Sequence, residues 1–244
     1  MKVIAPKKLK TRFYLAVSLV LILSLLTVGT YLTDKIAVDT TSGNLSDKTV
    51  IIDPGHGGFD GGTSAADGTV EKDLNLQIAL KLNEILNSMG IRTVMTRTDD
   101  TGTNDDSAQT IRQKKVSDIK NRLKIIEETP DAVFVSIHQN HFEQSKYSGA
   151  QVFYSKNNPH SHTLAENIRF RFVTVLQPDN TREIKQSGSE IYLLHHSAVP
   201  SVMVECGFLS NTEETKKLKD ENYQRKLAFT VAMGIVDYFN QTED

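Results

Sequence analysis

The sequence predicts an α/β fold: a layered domain with a mostly parallel β-sheet, preceded by an N-terminal transmembrane or signal segment. Three observations carry this. Short β-branched runs alternate with stretches whose apolar residues recur at helical spacing. The first run stops at Asp53-Pro54-Gly55 and hands over to a glycine-rich loop. Only the first 33 residues depart from this composition.

Those residues carry Lys2, Lys7, Lys8, Lys10 and Arg12 and no acid, and Phe13 to Thr33 is free of charge. As a helix this stretch would extend about 31 Å, close to the thickness of a bilayer core. Its basic flank places the N-terminus in the cytoplasm and the rest outside. An uncleaved anchor and a cleaved signal both remain open, since Val28-Gly29-Thr30 is a poor processing site. Either way the body is expected to be exported. Residues 34–47 are polar and read as a linker, and residues 48–240 as the folded body that follows it.

Thr49 to Ile52 predicts the first strand, ending at Asp53-Pro54-Gly55 before a glycine-rich loop over 55–68. Leu74, Ile78, Leu82, Ile85, Leu86 and Met89 predict a helix from Glu71 to Gly90. A strand is expected over Ile91 to Thr96, a helix over 110–128, and a strand over Ala132 to Ile137. Further strands fit Ala150 to Tyr154 and Ser201 to Val204, with helices over Ser161 to Leu176 and Tyr223 to Phe239.

Composition narrows the chemistry. The body holds 23 basic against 30 acidic groups, a charge of about −7, which disfavours binding to nucleic acid. Cys206 is the only cysteine, so there is no internal disulfide, zinc ribbon or CxxC pair, and any metal must be held by His and carboxylates. The loop GHGGFDGG is no dinucleotide fingerprint, because the third glycine of GxGxxG is replaced by Asp60; no Gly-Lys-Ser/Thr follows for a P-loop either.

Four residues sit where strands end or a helix begins: His56, Glu71, His138 and Glu205. If the first three converge they form a His-Glu-His set of the catalytic zinc type, with one coordination position left over. Glu205 would then act as general base and acid. Taken singly, each has a plainer explanation as a turn residue, a helix-start charge or a strand-end polar group. No HxxxH pattern strengthens the metal reading; His141, the His160/His162 pair and the His195/His196 pair are weaker candidates. Cys206 reads as a buried small hydrophobe pointing away from Glu205.

Five segments are more specific than any of these residues alone. DPGHGG (53–58), VEKDLNL (70–76), TRTDD (96–100), SIHQN (136–140) and VECGFLSN (204–211) stand in the order and at roughly the separations found in the zinc-dependent N-acetylmuramoyl-L-alanine amidases of the amidase-3 type. The resemblance covers residues 48–240, which it makes the catalytic domain, and implies a single three-layer α/β domain with a central mixed, mostly parallel β-sheet flanked by helices. It implies Zn²⁺ held by His56, Glu71 and His138, catalysis by Glu205, and cleavage of the amide between N-acetylmuramic acid and L-alanine in peptidoglycan. It also implies substrate contacts from Asn140, Lys185 and His195; His195 stands where the family often has a basic residue, and His141 where it has a small one. A bare anchor with no wall-binding repeat most resembles the germination-specific amidases of endospore formers, which lead to muramic-δ-lactam in the spore cortex. For such an enzyme the intermembrane space of the forespore is the expected location. Some clostridial relatives act with an exported lipoprotein partner. Two alternatives from other classes are a tethered peptidoglycan-binding protein without activity and a zinc hydrolase of another wall bond.

Overall fold

In the computed structural model, which describes Ser24 and residues 45–242, the domain is built on a six-stranded sheet of order β2-β1-β3-β6-β4-β5. The strands are β1 (Thr49–Pro54), β2 (Arg92–Met95), β3 (Ala132–Asn140), β4 (Gln151–Tyr154), β5 (Lys185–Gln186) and β6 (Ser201–Phe208). β2, β1, β3 and β6 are mutually parallel, and β4 joins β6 antiparallel while pairing with β5 in parallel. The sheet is therefore mixed and mostly parallel, as the sequence predicts. The expected membrane segment lies outside the described residues apart from Ser24. No helix among the described residues is long and apolar enough to cross a membrane.

The helices are α1 (Glu71–Ser88), α2 (Ile111–Glu127), α3 (His160–Arg171), α4 (Tyr192–His196), α5 (Thr212–Lys219) and α6 (Glu221–Gln241). Each long one has a sequence cause for its limits. Helix α2 opens on a reciprocal capping box between Thr110 and Gln113. Helix α1 ends before Gly90, whose φ of 83° carries the chain out of the helix. The predicted helix over Ser161 to Leu176 continues past α3 only as a π-helical turn, Phe172–Leu176.

Strand alternation divides the buried residues between two unequal layers. Val50, Ile52, Val133, Val135, Ile137, Val202, Val204 and Cys206 point to one face, where α1, α3 and α6 supply Ile78, Leu82, Ile168, Val231 and Ile235. Ile51 and Phe134 point to the other, covered thinly by Ile126 of α2 and by Leu193 and Leu194 of α4. Following the same alternation to the strand ends puts Asp53, Ser136, His138 and Glu205 on this second, sparsely covered face. The parallel register aligns them, Asp53 beside Ser136 and His138 beside Glu205.

Two expectations about strand ends are corrected here. His138 and Glu205 do not follow their strands; they lie within β3 and β6, which run on to Asn140 and Phe208. The ladder continues because the two strands extend each other past the apolar runs, with a bulge between His138 and Asn140. Helices α4 and α5 and strand β5 carry too short or too polar a pattern to be predicted; α5 is set by the Asn211 cap, which accepts from the amides of Glu213 and Glu214.

The sheet and α2 are joined by a buried ion pair. Arg122 donates to Asp53 at 2.6 Å, and both side chains are almost wholly enclosed. Ser136 and Thr96 also donate to the Asp53 carboxylate, at 2.6 and 2.7 Å. Burial pushes Asp53 up, but Arg122 and the two hydroxyls outweigh it and hold the carboxyl down at about 2. Its stabilisation is therefore present above the ordinary carboxylate range and is lost as pH falls from about 4 through about 2, a contribution of roughly 2 kcal/mol. Replacing Asp53 by Asn is expected to lower the unfolding free energy at pH 7 by about 3 kcal/mol, because a buried charge is left short of its partner, and to flatten that acid limb. Urea titrations of both proteins between pH 2 and 7 test this; parallel curves would refute it.

Candidate active site

The loop after β1 brings His56 round to the first turn of α1. His56 has φ 63° and is the only non-glycine with positive φ among the described residues. Its Nδ1 faces Asp60 Oδ2 at 2.9 Å, and Asp60 also meets Lys115 Nζ at 3.1 Å. That contact turns Nε2 toward Glu71, whose Oε2 lies 3.4 Å away. Glu71 is the first residue of α1, a place where a negative charge is favoured. It accepts from the amides of Thr63 at 2.9 Å and Gln139 at 3.1 Å, and its Oε1 stands 3.0 Å from His138 Nδ1. Asn75, one turn along α1, bonds both Glu71 Oε1 and the carbonyl of Gly55. The two imidazole rings meet edge to face with centroids 5.0 Å apart.

The structure thus brings together three residues separated by 15 and 67 positions in sequence. Each offers a ligand atom, and the three atoms lie within 4.8 Å of one another, the only such group among the described residues. A tetrahedral ion with bonds of about 2.0–2.1 Å spaces its ligand atoms about 3.3 Å apart, which matches the 3.4 Å between His56 Nε2 and Glu71 Oε2. The electrostatics agree with a cation here. Burial pushes His56 down, yet hydrogen bonds to Asp60 and Glu71 raise it to about 9. Burial pushes Glu71 up, yet the two histidines hold it well below the ordinary carboxylate range. Positive charge is favoured between these side chains, and the nitrogen and oxygen donors suit zinc.

Glu205 sits beside His138 across the β3–β6 ladder. Its Oε2 is buried and has no hydrogen-bond partner. Burial raises its carboxyl to about 7, with His138 and His56 opposing and Glu71 reinforcing the shift. Cys206 points to the opposite face and is buried there, its thiol pushed up by burial and by Glu205.

A cavity of about 220 Å³ opens onto the cluster, lined by Gly55, His56, Asp60, Lys115, His138 and Leu193 among others. Larger hollows of about 790 and 620 Å³ lie elsewhere, and neither contains the cluster. His141 lines the 620 Å³ hollow rather than this cavity. Lys185 is exposed on β5, on the face of the sheet that carries Glu205; Asn140 ends β3 opposite Phe208. His195 lies on α4 but does not line the cavity, although Leu193 of the same helix does; its Nδ1 is buried without a partner. Asp60, Asn75, Arg97, Arg122 and Lys115 support the site and were not singled out from sequence. Arg122 had a signal: helical periodicity places it among the inward-facing Ile119, Leu123 and Ile126.

The N-acetylmuramoyl-L-alanine amidase family model matches residues 50–237. The chain belongs to this family. It is 34% identical over 200 residues to the germination-specific N-acetylmuramoyl-L-alanine amidase of Bacillus subtilis, covering 82% of this chain and 83% of the relative. Among solved structures it resembles the CwlD amidase of Clostridioides difficile, determined in complex with the GerS lipoprotein, with 45% identity, a TM-score of 0.77, and coverage of 80% of this chain and 100% of that one. Amidase AmiC2 of Nostoc punctiforme is 29% identical with a TM-score of 0.68, covering 79% and 97%. The chain is an N-acetylmuramoyl-L-alanine amidase, a hydrolase of peptidoglycan and a homologue of the germination-specific amidases.

The His-Glu-His cluster tolerates no added bulk at Gly55. A Cβ there would lie 2.2 Å from Cε1 and Nε2 of His138. Gly55→Ala is expected to displace that ring and lower amidase turnover by about 100-fold, with the far-ultraviolet circular dichroism unchanged. Wild-type turnover in the folded variant would count against a role for His138 in the reaction.

Proposed function

We propose that this amidase uses zinc held by His56, Glu71 and His138, with Glu205 as its proton-transfer group. The observation that carries the proposal is the buried, unpartnered Oε2 of Glu205 next to a three-donor cluster. A carboxylate oxygen kept without a partner is costly, and the cost is understandable where a substrate water completes the bonding. When bound, zinc would supply Lewis-acid polarisation of the amide carbonyl and lower the pKa of water. Glu205 takes the proton from the attacking water. It then gives that proton to the departing L-alanine nitrogen as the C–N bond breaks; the remaining water proton leaves with the lactyl carboxylic acid, which ionises and protonates the freed stem-peptide amine. Asp60 orients His56, and the amides of Thr63 and Gln139 orient Glu71.

Substrate contacts are assigned to Asn140, Lys185 and His195. The cationic Lys185 suits the carboxylates of a stem peptide. Extracytoplasmic action follows from the cell-wall role of the relatives. Within that setting we assign residues 1–33 to the anchor or signal, 34–47 to the linker and 48–240 to the catalytic domain, acting in the intermembrane space of the forespore. The product would be cortex peptidoglycan ready for muramic-δ-lactam formation. An exported lipoprotein is the proposed partner, by likeness to the Clostridioides difficile amidase.

Glu205→Gln is expected to keep one zinc per chain by elemental analysis and to lose about 10²–10⁴-fold in turnover, whereas His138→Ala loses both metal and turnover. Peptide release by the Glu205 variant at the native rate would refute its role. Chelator treatment of the wild type is expected to abolish cleavage of cortex and vegetative peptidoglycan, and zinc to restore it. Mass spectrometry of the digests identifies the bond: intact stem peptides with an L-alanine N-terminus support the amide, while opened cross-links or deacetylated glycans count against it.

A further inference from the structure

We propose that Arg97 and Arg122 are positioning residues for the metal site: their guanidinium groups cap three successive backbone carbonyls of the His56 loop and so fix the direction in which the imidazole is presented. The proposal rests on the assignment of His56, Glu71 and His138 as metal ligands.

A left-handed backbone at a non-glycine residue is unfavourable and has to be imposed by its surroundings. At His56 two buried arginines surround the loop. Arg122 donates from Nη1 to the Pro54 carbonyl at 2.9 Å and from Nη2 to the His56 carbonyl at 2.6 Å. Arg97 donates from Nε to the Pro54 carbonyl at 2.9 Å and from Nη2 to the Gly55 carbonyl at 3.1 Å. Its two further bonds go to the carbonyls of Lys72 and Asp99, so every acceptor of Arg97 is main chain. A guanidinium that is 5% exposed and holds only neutral carbonyls has been taken out of water without a directly bonded carboxylate. Such a group would be a poor choice for packing alone, where an apolar side chain fills the space more cheaply.

The same two forks reach the other ligand-bearing segments. The Lys72 carbonyl bonded by Arg97 adjoins Glu71 at the start of α1. Arg122 is bonded to Asp53, and Asp53 accepts from Ser136, two residues before His138 on β3. Each planar fork spans several acceptors at fixed angles, which the single ammonium of lysine does not. Asp60 acts on the ring of His56, and the arginines act on the backbone that carries it.

Arg97→Lys and Arg122→Lys in the full chain test the proposal, with Ile126→Ala as a core variant on α2 that lowers stability without touching the loop. Three quantities are measured: zinc affinity by competition with a fluorescent chelator, the visible absorption of the cobalt-loaded protein, and amide hydrogen exchange at Gly57 and Gly58 without metal. Both lysine variants are expected to bind zinc at least about tenfold more weakly, to shift the cobalt bands, and to exchange faster at Gly57, whose amide is otherwise bonded to the Asp60 carbonyl. Ile126→Ala is expected to melt at a lower temperature with unchanged affinity and spectrum. If Arg122→Lys does not fold, Arg97→Lys decides the matter. Native affinity, spectrum and exchange in folded Arg97→Lys would overturn the proposal, as would an equal loss of affinity in Ile126→Ala. Failure of the wild type to bind zinc would instead refute the ligand assignment, and the exchange at Gly57 would still decide the role of the arginines.

Discussion

One buried carboxylate organises this domain. Asp53 ends β1 on the thinly covered face of the sheet, and its two oxygens join Thr96 beyond β2, Ser136 on β3 and Arg122 on α2. Desolvating a charged pair is expensive, and an isolated buried ion pair is poor evidence of net stabilisation. Here the cost is offset by full bonding: the Asp53 oxygens accept from three side chains, while Arg122 also bonds Asp118 and two carbonyls. What this network provides beyond stability is registration. It fixes β1, β2, β3 and α2 relative to one another within a few ångströms of His56 and His138, where apolar packing is sparse and could not do so.

That sparseness follows from the fold. Alternation along β1, β3 and β6 assigns the large core to one face and leaves the other to α2 and α4. Helix α2 buries only Arg122 and Ile126 in 17 residues. A face so lightly covered leaves room for a cavity reached from solvent, and the parallel strands carry Asp53 and His138 into its lining. Ligand sites in open parallel sheets lie at the carboxyl ends of strands, and here His56 follows the end of β1 while His138 and Glu205 stand near the ends of β3 and β6. The sheet sets their spacing; the loop and α1 bring Glu71 to meet them.

Much of this was legible in the sequence because the signals were local. β-Branched runs, helical spacing from Leu74 to Leu86, Gly90 as a stop and the polar breaks between them fix the order of elements and a mostly parallel sheet; that the sheet is mixed came from the resemblance. His56, Glu71, His138 and Glu205 stand out by their positions at element ends, and the five motifs make their convergence an expectation. The ends of β3 and β6 were not legible, since continuation through His138 and Glu205 depends on the partner strand and not on the residues themselves. Strand β5 has two residues and α4 five, too few for a period to show. Arg97 lies inside the TRTDD motif, yet its role is invisible there, because all its acceptors are backbone carbonyls and four of any such groups look alike in a sequence.

The site stores two unfavourable features that the rest of the fold sustains: the left-handed backbone of His56 and the unpaired oxygen of Glu205. Both would be removed by ordinary optimisation for stability, with glycine at the first position and an apolar side chain at the second. Each makes sense if the missing partner arrives with the reaction. A left-handed residue directs an imidazole inward over a loop too tight for a right-handed turn, and a carboxyl without a donor is free to accept one from water. The surrounding order is consistent with this division. Glu71 and Asp53 have their oxygens bonded by amides, hydroxyls, imidazoles or a guanidinium, whereas Glu205, the group proposed to carry the proton, leaves Oε2 open. The pattern of satisfied and unsatisfied carboxylates sets Glu205 apart from the groups that build this site.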